Sequence, residues 1–355
     1  MKHRALSLFA GAGGLDIGVD QCGFKTCCAV ELDPHCASTL RRNAAGKKVW
    51  SVDTRALDPR RVTDSLDLQP GDVTLLCGGP PCPPSSQAGK QGGASDLSGG
   101  PVFEMVRFAT ALRPSAVVIE QPPRFLDTPF SPSASMRDVL AERFDAIGYD
   151  THTAVLDAVH FGVPQRRRQA FVVCVPRGQP YEFPVPALMS TMTVGDAICD
   201  LPAATLAGGQ PAVPNHIDVT PERDRQRICY VPEGAWLSRA DVQAPPEIVR
   251  RLTRKDTTKY RRVHRNQASI ALRCGEVPYH PTEDRYLTPR EAARIQGFPD
   301  RHVFVGPIRR RTVTVRDLDQ HRQVADAVPP PLAAAVASSV RDALRLLRRS
   351  LRSRS

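Results

Sequence analysis

The chain has 355 residues, of which 41% are hydrophobic, enough for one large α/β domain with a sizeable core plus a smaller one, and no apolar run reaches membrane-span length. A formal net charge of +11 favours an anionic partner, nucleic acid first. Ten cysteines without a CxxC pair, a zinc-spaced Cys/His ladder or a leader sequence point to a reducing cytoplasm, not a disulfide framework or a metal site.

Residues 4–9 read as a buried strand, followed by the turn Ala10-Gly11-Ala12-Gly13-Gly14 and an amphipathic stretch opening Leu15-Asp16-Ile17-Gly18. Glycines in that turn let the backbone approach a ligand closely. A second strand, 26–31, ends in Glu31, about twenty residues after Gly11, where α/β nucleotide sites place an acid for the ribose hydroxyls. A third, 49–52, precedes Asp53, whose carboxylate can accept from an adenine amino group or cap a turn. The three features predict a nucleoside-bearing cofactor. The loop lacks a glycine at position 16, and both NAD and S-adenosylmethionine stay open at this point.

Residues 73–77 read as the fourth strand and run into Gly78-Gly79-Pro80-Pro81-Cys82; residues 116–119 form the fifth and end at Glu120. In a parallel sheet both ends share the carboxyl edge, so Cys82 and Glu120 face one cleft. A thiolate beside a proton-donating carboxyl suits covalent attack on an electron-poor ring, not hydride transfer. Five glycines between 83 and 101 mark a candidate lid that closes over nucleic acid. Beyond 172–175 the chain is irregular and Pro-rich to 212, and the segment to about 286 reads as a smaller unit. Its basic run, Arg250, Arg251, Arg254, Lys255, Lys259, Arg261, Arg262, His264 and Arg265, suits phosphate contacts. Leu332, Val336 and Val340 at helical spacing predict a last helix over 331–347 that packs back on the first domain. The arginine-rich stretch 345–354 reads as a solvated tail.

Six segments carry a family resemblance. They are Leu8-Phe9-Ala10-Gly11-Ala12-Gly13-Gly14, Gly78-Gly79-Pro80-Pro81-Cys82, Val118-Ile119-Glu120, Phe161-Gly162-Val163-Pro164-Gln165-Arg166-Arg167-Arg168, the run from Leu287-Thr288-Pro289-Arg290-Glu291 to Gln296-Gly297-Phe298-Pro299-Asp300, and Ala327-Val328-Pro329-Pro330. In this order the chain resembles the bacterial DNA (cytosine-5)-methyltransferases. The resemblance implies an α/β fold with a doubly wound, mostly parallel sheet of the S-adenosylmethionine-dependent methyltransferase type and a second, smaller target-recognition domain. It implies a catalytic and cofactor-binding domain over 1–180, target recognition with its linker over 181–285, and a return segment over 286–355.

By the same resemblance Cys82 attacks carbon 6 of a flipped-out cytosine, Glu120 engages N3 and Arg167 contacts the base. S-adenosylmethionine is held by Phe9 on the adenine, Glu31 on the ribose and Asp53 on the adenine amine, with Ala10, Gly11, Gly13, Gly14, Leu15, Pro80, Asp326 and Ala327 around them. A monomer acting on double-stranded DNA is expected, in the bacterial cytoplasm at the nucleoid and away from membranes, in the setting of restriction–modification, with the existence of a cognate endonuclease left open.

Departures from the family pattern lie near the chemistry. Pro83 stands for Gln, Ser85 for Phe, Gln121-Pro122 for Asn-Val, Gln169 for a second arginine, and Ala325-Asp326 for Gly-Asn. Proline after the nucleophile removes a backbone donor, and Asp326 adds negative charge near the site of a cationic sulfonium. These changes keep two alternatives open: a family member with an altered base, cofactor or substrate, such as a modified cytosine, a nucleotide or RNA, and a DNA-binding homologue without turnover.

Overall fold

The computed structural model describes residues 3–44, 46–81, 100–186, 191–239, 241–249, 260–309 and 318–352. Cys82, nearly all of the candidate lid and Arg250 to Lys259 lie outside the described residues. In chain order the first elements are β1 (His3–Leu8), α1 (Gly14–Gln21), β2 (Phe24–Val30), α2 (Pro34–Asn43), β3 (Lys48–Trp50), α3 (Pro59–Asp64), β4 (Leu75–Gly78), α4 (Val102–Leu112) and β5 (Ala116–Gln121). There follow β6 (Pro129–Ser131), β7 (Ala134–Ser135), α5 (Met136–Asp145), β8 (Tyr149–Asp157), β9 (Gln165–Arg166) and β10 (Arg168–Pro176). The rest are α6 (Val194–Ile198), β11 (Thr205–Leu206), β12 (Ile217–Asp218), α7 (Glu222–Ile228), α8 (Pro246–Val249), β13 (Ser269–Ile270), α9 (Pro289–Ile295), α10 (Gln320–Asp326) and α11 (Pro330–Arg352).

Two compact units result, one of Met1–Asp157, Arg168–Pro186 and Pro330–Ser355, the other of Ala158–Arg167 and Ala187–Pro329. The first holds a seven-stranded sheet in the order β3-β2-β1-β4-β5-β10-β8. Strands β1 to β5 pair in parallel; β10 is antiparallel to both β5 and β8. The central parallel strands β4 and β5 are almost wholly apolar up to their carboxyl ends, as expected of strands covered on both faces. On one face Leu6, Leu8, Val30, Leu76, Ile119 and Val172 join Met105, Phe108 and Leu112 of α4 and Val139, Leu140 and Phe144 of α5 in one core. The strand order reverses between β1 and β4, which opens a crevice at the carboxyl ends of the strands.

The last helix packs on the first. Leu332, Val336 and Val340 are fully buried in α11. The approach of α1 to α11 is close enough that a Cβ on Gly18 would sit 2.5 Å from the Ala334 amide nitrogen and the Pro330 carbonyl. Cys22 Sγ donates to Ala334 O at 2.9 Å, and Arg341 Nη1 donates to Cys22 O at 3.1 Å.

The second unit has little regular structure, and buried guanidinium groups tie its loops together. Arg290, fully buried, donates to the carbonyls of Pro214, Pro299 and His302 at 3.0, 3.3 and 2.7 Å. Arg262 donates to those of Ile228, Val231, His280 and Glu283, and also to Asp284. Arg285 makes a two-pronged contact with buried Glu291, which closes a capping box with Thr288 at the start of α9. The expectation that the whole basic run contacts phosphate is corrected here: Arg262 is interior, satisfying carbonyls that no helix or sheet supplies with a donor, and Arg265 is paired with Glu233 at 2.9 Å. Among the described residues no helix is long and apolar enough to cross a membrane.

Replacing a helix-interior glycine by alanine normally stabilises by about 1 kcal/mol. Gly18→Ala is expected to do the reverse, destabilising by about 1–3 kcal/mol, because α11 must move to admit the methyl group; urea unfolding checks the sign.

Candidate active site

Neighbouring strands deliver the sequence-predicted residues of the first unit along one sheet edge. Phe9, Gly11 and Gly13 follow β1 with φ of 52°, 54° and 87°, a left-handed path that glycine permits and Phe9 is held in. The loop is stapled by Gly13 N to Ala10 O at 3.0 Å and Ala10 N to Val30 O at 3.2 Å. Gly14 and Leu15 begin α1 and are buried. Glu31, just past β2, accepts from Gly11 N on Oε2 and from Asp33 N on Oε1, both at 2.7 Å. Burial pushes its carboxyl pKa up, and these two amide donors pull it back down. A Cβ at Gly11 would meet nothing within 4 Å, so the space above the loop is open.

The absent glycine at position 16 has a structural reason. Asp16 is buried and receives Lys47 Nζ at 2.7 Å, both side chains under 10% exposed, so a charge pair joins the start of α1 to the approach of β3. Asp53, beyond β3, caps the turn at Thr54–Ala56 and holds Arg55, with Arg55 Nη2 to Oδ2 at 2.7 Å.

On the other side of β1, Glu120 leaves β5 beside the segment that leads to Cys82. A Cβ on Gly79 would lie 3.1 Å from Glu120 Oε2, and one on Gly78 would strike the Leu8 carbonyl, so glycine at both positions permits the close passage. Gln121, fully buried, donates from Nε2 to Pro80 O at 2.7 Å. The sequence marked Gln121 only as a departure; its bond ties the end of β5 to the carbonyl two residues before Cys82. A separate cavity of about 650 Å³, lined by Gly71, Arg113, Ser115, Tyr149 and Leu344 among others, opens at the opposite ends of β4 and β5, away from these groups.

Arg167, Asp326 and Ala327 fall in the second unit. Arg167 Nη1 donates to Leu272 O at 3.1 Å. Beside it runs a relay of buried amides. Gln165 Oε1 accepts from Leu272 N at 2.9 Å, Gln165 Nε2 donates to Gln296 Oε1, and Gln296 Nε2 donates to Ala327 O at 2.5 Å. Three of the sequence segments that carry the resemblance are thus bonded to one another. The Cys274 thiol donates to the Asp326 carboxylate. Partial desolvation by neighbouring groups pushes the Asp326 pKa up while Cys274, Arg167 and Arg322 pull it down; the Cys274 thiol is itself pushed up, by desolvation first and then by Asp326, although both residues keep exposed surface. Sequence reasoning named neither glutamine nor Cys274 as a site residue, since their partners are far away in the chain.

Comparison with known proteins decides what this architecture serves. The model of C-5 cytosine-specific DNA methylases matches residues 3–342. The chain belongs to that family. Its reaction is methylation of DNA cytosine at carbon 5, an S-adenosylmethionine-dependent transfer. Type II methyltransferase M1.HphI of Haemophilus parahaemolyticus is 33% identical over 96% of the chain and 87% of its own length. M.PspPI of a Psychrobacter strain is 31% identical over 96% and 79%. Among solved structures, a prophage-encoded E. coli protein described as a DNA modification methyltransferase aligns with a TM-score of 0.72 at 20% identity over 96% of the chain and 99% of its own, and Entamoeba histolytica methyltransferase EhMeth with 0.61 at 15% over 97% and 99%. At these identities the structural likeness speaks for the fold.

Gln296→Leu keeps the bulk of the side chain and removes the middle of the family relay, leaving Gln165 Nε2 and the Ala327 carbonyl without their partner. A loss of about 1–3 kcal/mol per orphaned group is expected, read as a lower urea midpoint with an unchanged m-value.

Proposed function

We propose that Cys82 is the nucleophile and Glu120 the acid of this methyl transfer, that the loop from Phe9 to Leu15 with Glu31 and Asp53 binds S-adenosylmethionine, and that the second unit recognises duplex DNA. The observation that carries this reading is the position of the Glu120 carboxyl against Gly79, with Gln121 pinning Pro80, directly before Cys82. We take the enzyme to act as a monomer on double-stranded DNA in the cytoplasm.

In this reading the Cys82 thiolate forms a bond to carbon 6 of a flipped cytosine while Glu120 donates a hydrogen bond or proton to N3, so the ring electrons collect at carbon 5. Arg167 holds the base. After carbon 5 is alkylated, its proton leaves to a base, the carbon 5–carbon 6 double bond re-forms and the thiolate departs.

The residues fit the cofactor. Glu31 is fixed by two amides and retains lone pairs for ribose hydroxyls, and the space above Gly11 is open. S-adenosylmethionine, when bound, supplies the electrophilic methyl group. Phe9 would stack on its adenine and Asp53 accept from the adenine amine. Asp326, with Ala327 beside it, would face the sulfonium. Gly13, Gly14 and Ala10 shape the loop.

Nucleotide-level sequencing of DNA from cells expressing the protein should show 5-methylcytosine in one short context, lost in Cys82→Ser. Glu120→Gln should lower kcat by about 100- to 10,000-fold. A product mass other than that of 5-methylcytosine, or unmodified DNA beside a correctly folded protein, overturns the assignment.

Because burial raises the Glu31 pKa, its carboxylate gains a proton, and loses acceptor capacity, at a higher pH than an ordinary glutamate. As pH is lowered, affinity for S-adenosylmethionine should therefore begin to fall at a higher pH than an ordinary glutamate would allow, and Glu31→Gln should bind weakly with a flatter profile; titration calorimetry checks both.

A further inference from the structure

The outer face of the second unit carries a small surface that none of the roles above uses. Strand β13 pairs with β9 in parallel, Ser269 opposite Gln165 and Ile270 opposite Arg166. Ser269 and Gln165 are buried on the inner face, whereas Ile270 is 36% exposed and Arg166 is exposed on the outer one. Immediately after β13 the chain turns through Cys274-Gly275, with Arg273 and Glu276 bridged across the turn. Arg273, Glu276, Ile270, Ala271, Pro278 and Arg261 enclose a pocket of about 100 Å³.

Among the described residues most arginines of this unit are bonded to carbonyls or carboxylates. Arg166 and Arg273, like Arg301, are exceptions: among the described residues none of the three makes a hydrogen bond or ion pair through its guanidinium. Arg273 is exposed at the pocket mouth, within electrostatic reach of Glu276, whose carboxylate interacts with the backbone amides of Tyr260 and Arg261 while its Oε1 is buried without a hydrogen-bond partner among the described residues. The Arg261 guanidinium lies 4.9 Å from the centre of the Trp236 ring, which stiffens the opposite wall.

We infer that this pocket is a base-reading subsite and that Arg273 determines specificity by donating to O6 and N7 of a guanine in the major groove, with the edge of the base against Ile270, Ala271 and Pro278. A phosphate contact requires only a cation at the surface, whereas a planar donor fork beside a recess with one apolar wall, Ile270, Ala271 and Pro278, matches a base edge. Arg166, one strand away on the same face, contacts the phosphate backbone and fixes register. This rests on the reading of the second unit as the DNA-recognition unit.

The test uses the full-length protein and duplexes carrying its modified context, with each guanine replaced in turn by 7-deazaguanine, which lacks N7. At one guanine the replacement should weaken wild-type binding by at least about 5-fold and leave Arg273→Ala unaffected. Arg273→Ala should also weaken binding to the native duplex by about 5- to 150-fold, the worth of one bidentate base contact, and relax the methylated context at that position. Arg166→Ala should weaken binding at every site alike and reduce its salt dependence. Thermal unfolding confirms that the variants fold. Equal sensitivity of wild type and Arg273→Ala at every guanine overturns the inference, as does a uniform loss without relaxed context, which marks a phosphate contact. Should the wild type modify no cytosine, the methylation reading fails on its own; duplexes selected from a random pool then serve for the same binding test, and the coupling at one guanine still decides the role of Arg273.

Discussion

One carboxylate organises the nucleotide edge of the sheet. Glu31 receives the amides of Gly11 and Asp33, one on each oxygen at 2.7 Å, and so locks the loop after β1 to the end of β2. That loop passes through left-handed conformations at Phe9, Gly11 and Gly13, which a free chain rarely populates together. A charge-assisted bond in a partly buried setting is strong enough to hold it. The Lys47–Asp16 pair does the same one turn later, fixing α1 to the approach of β3. Where the strand order reverses, the anchored loop after β1 therefore borders the crevice before any ligand enters, which spares binding the cost of ordering it.

The two units achieve rigidity by different physics. In the first, apolar faces of a parallel sheet meet helices, and close approach is set by size, as at Gly18 against α11. In the second, loops are held by side-chain donors reaching backbone carbonyls: Arg262, Arg290 and Arg285, with the Gln165–Gln296 relay. Polar networks of this kind specify one arrangement, because a missing member leaves its buried partners unsatisfied. The segment around Thr288, Arg290 and Glu291 is accordingly architecture: a helix cap, a carbonyl hub and an ion pair.

Two departures from the family pattern have local partners. Gln121 reaches the Pro80 carbonyl, and Asp326 accepts from the Cys274 thiol. Pro122 ends β5 and leads into the short turn at Pro123–Phe125. A longer amide and an added charge are thus matched by groups that receive them.

Strands β1 to β5 were legible because a parallel strand covered on both faces is written mainly in apolar residues, broken by few polar ones such as Ser7 and Thr26, and a carboxylate stands at or just past the end of three of them: Glu31, Asp53 and Glu120. The last helix was legible from Leu332, Val336 and Val340. The charge of the second unit misled at Arg262, since composition counts guanidinium groups without revealing whether they face water or a buried carbonyl. The sequence by itself determined the order of the elements, the open sheet and the chemistry offered at its edge, because periodicity and glycine placement are local properties. Only the tertiary structure decided which carboxylate clasps Gly11, why position 16 is aspartate, and which glutamines join the family segments, because those bonds connect residues that are distant in the chain and meet only once the loops have folded.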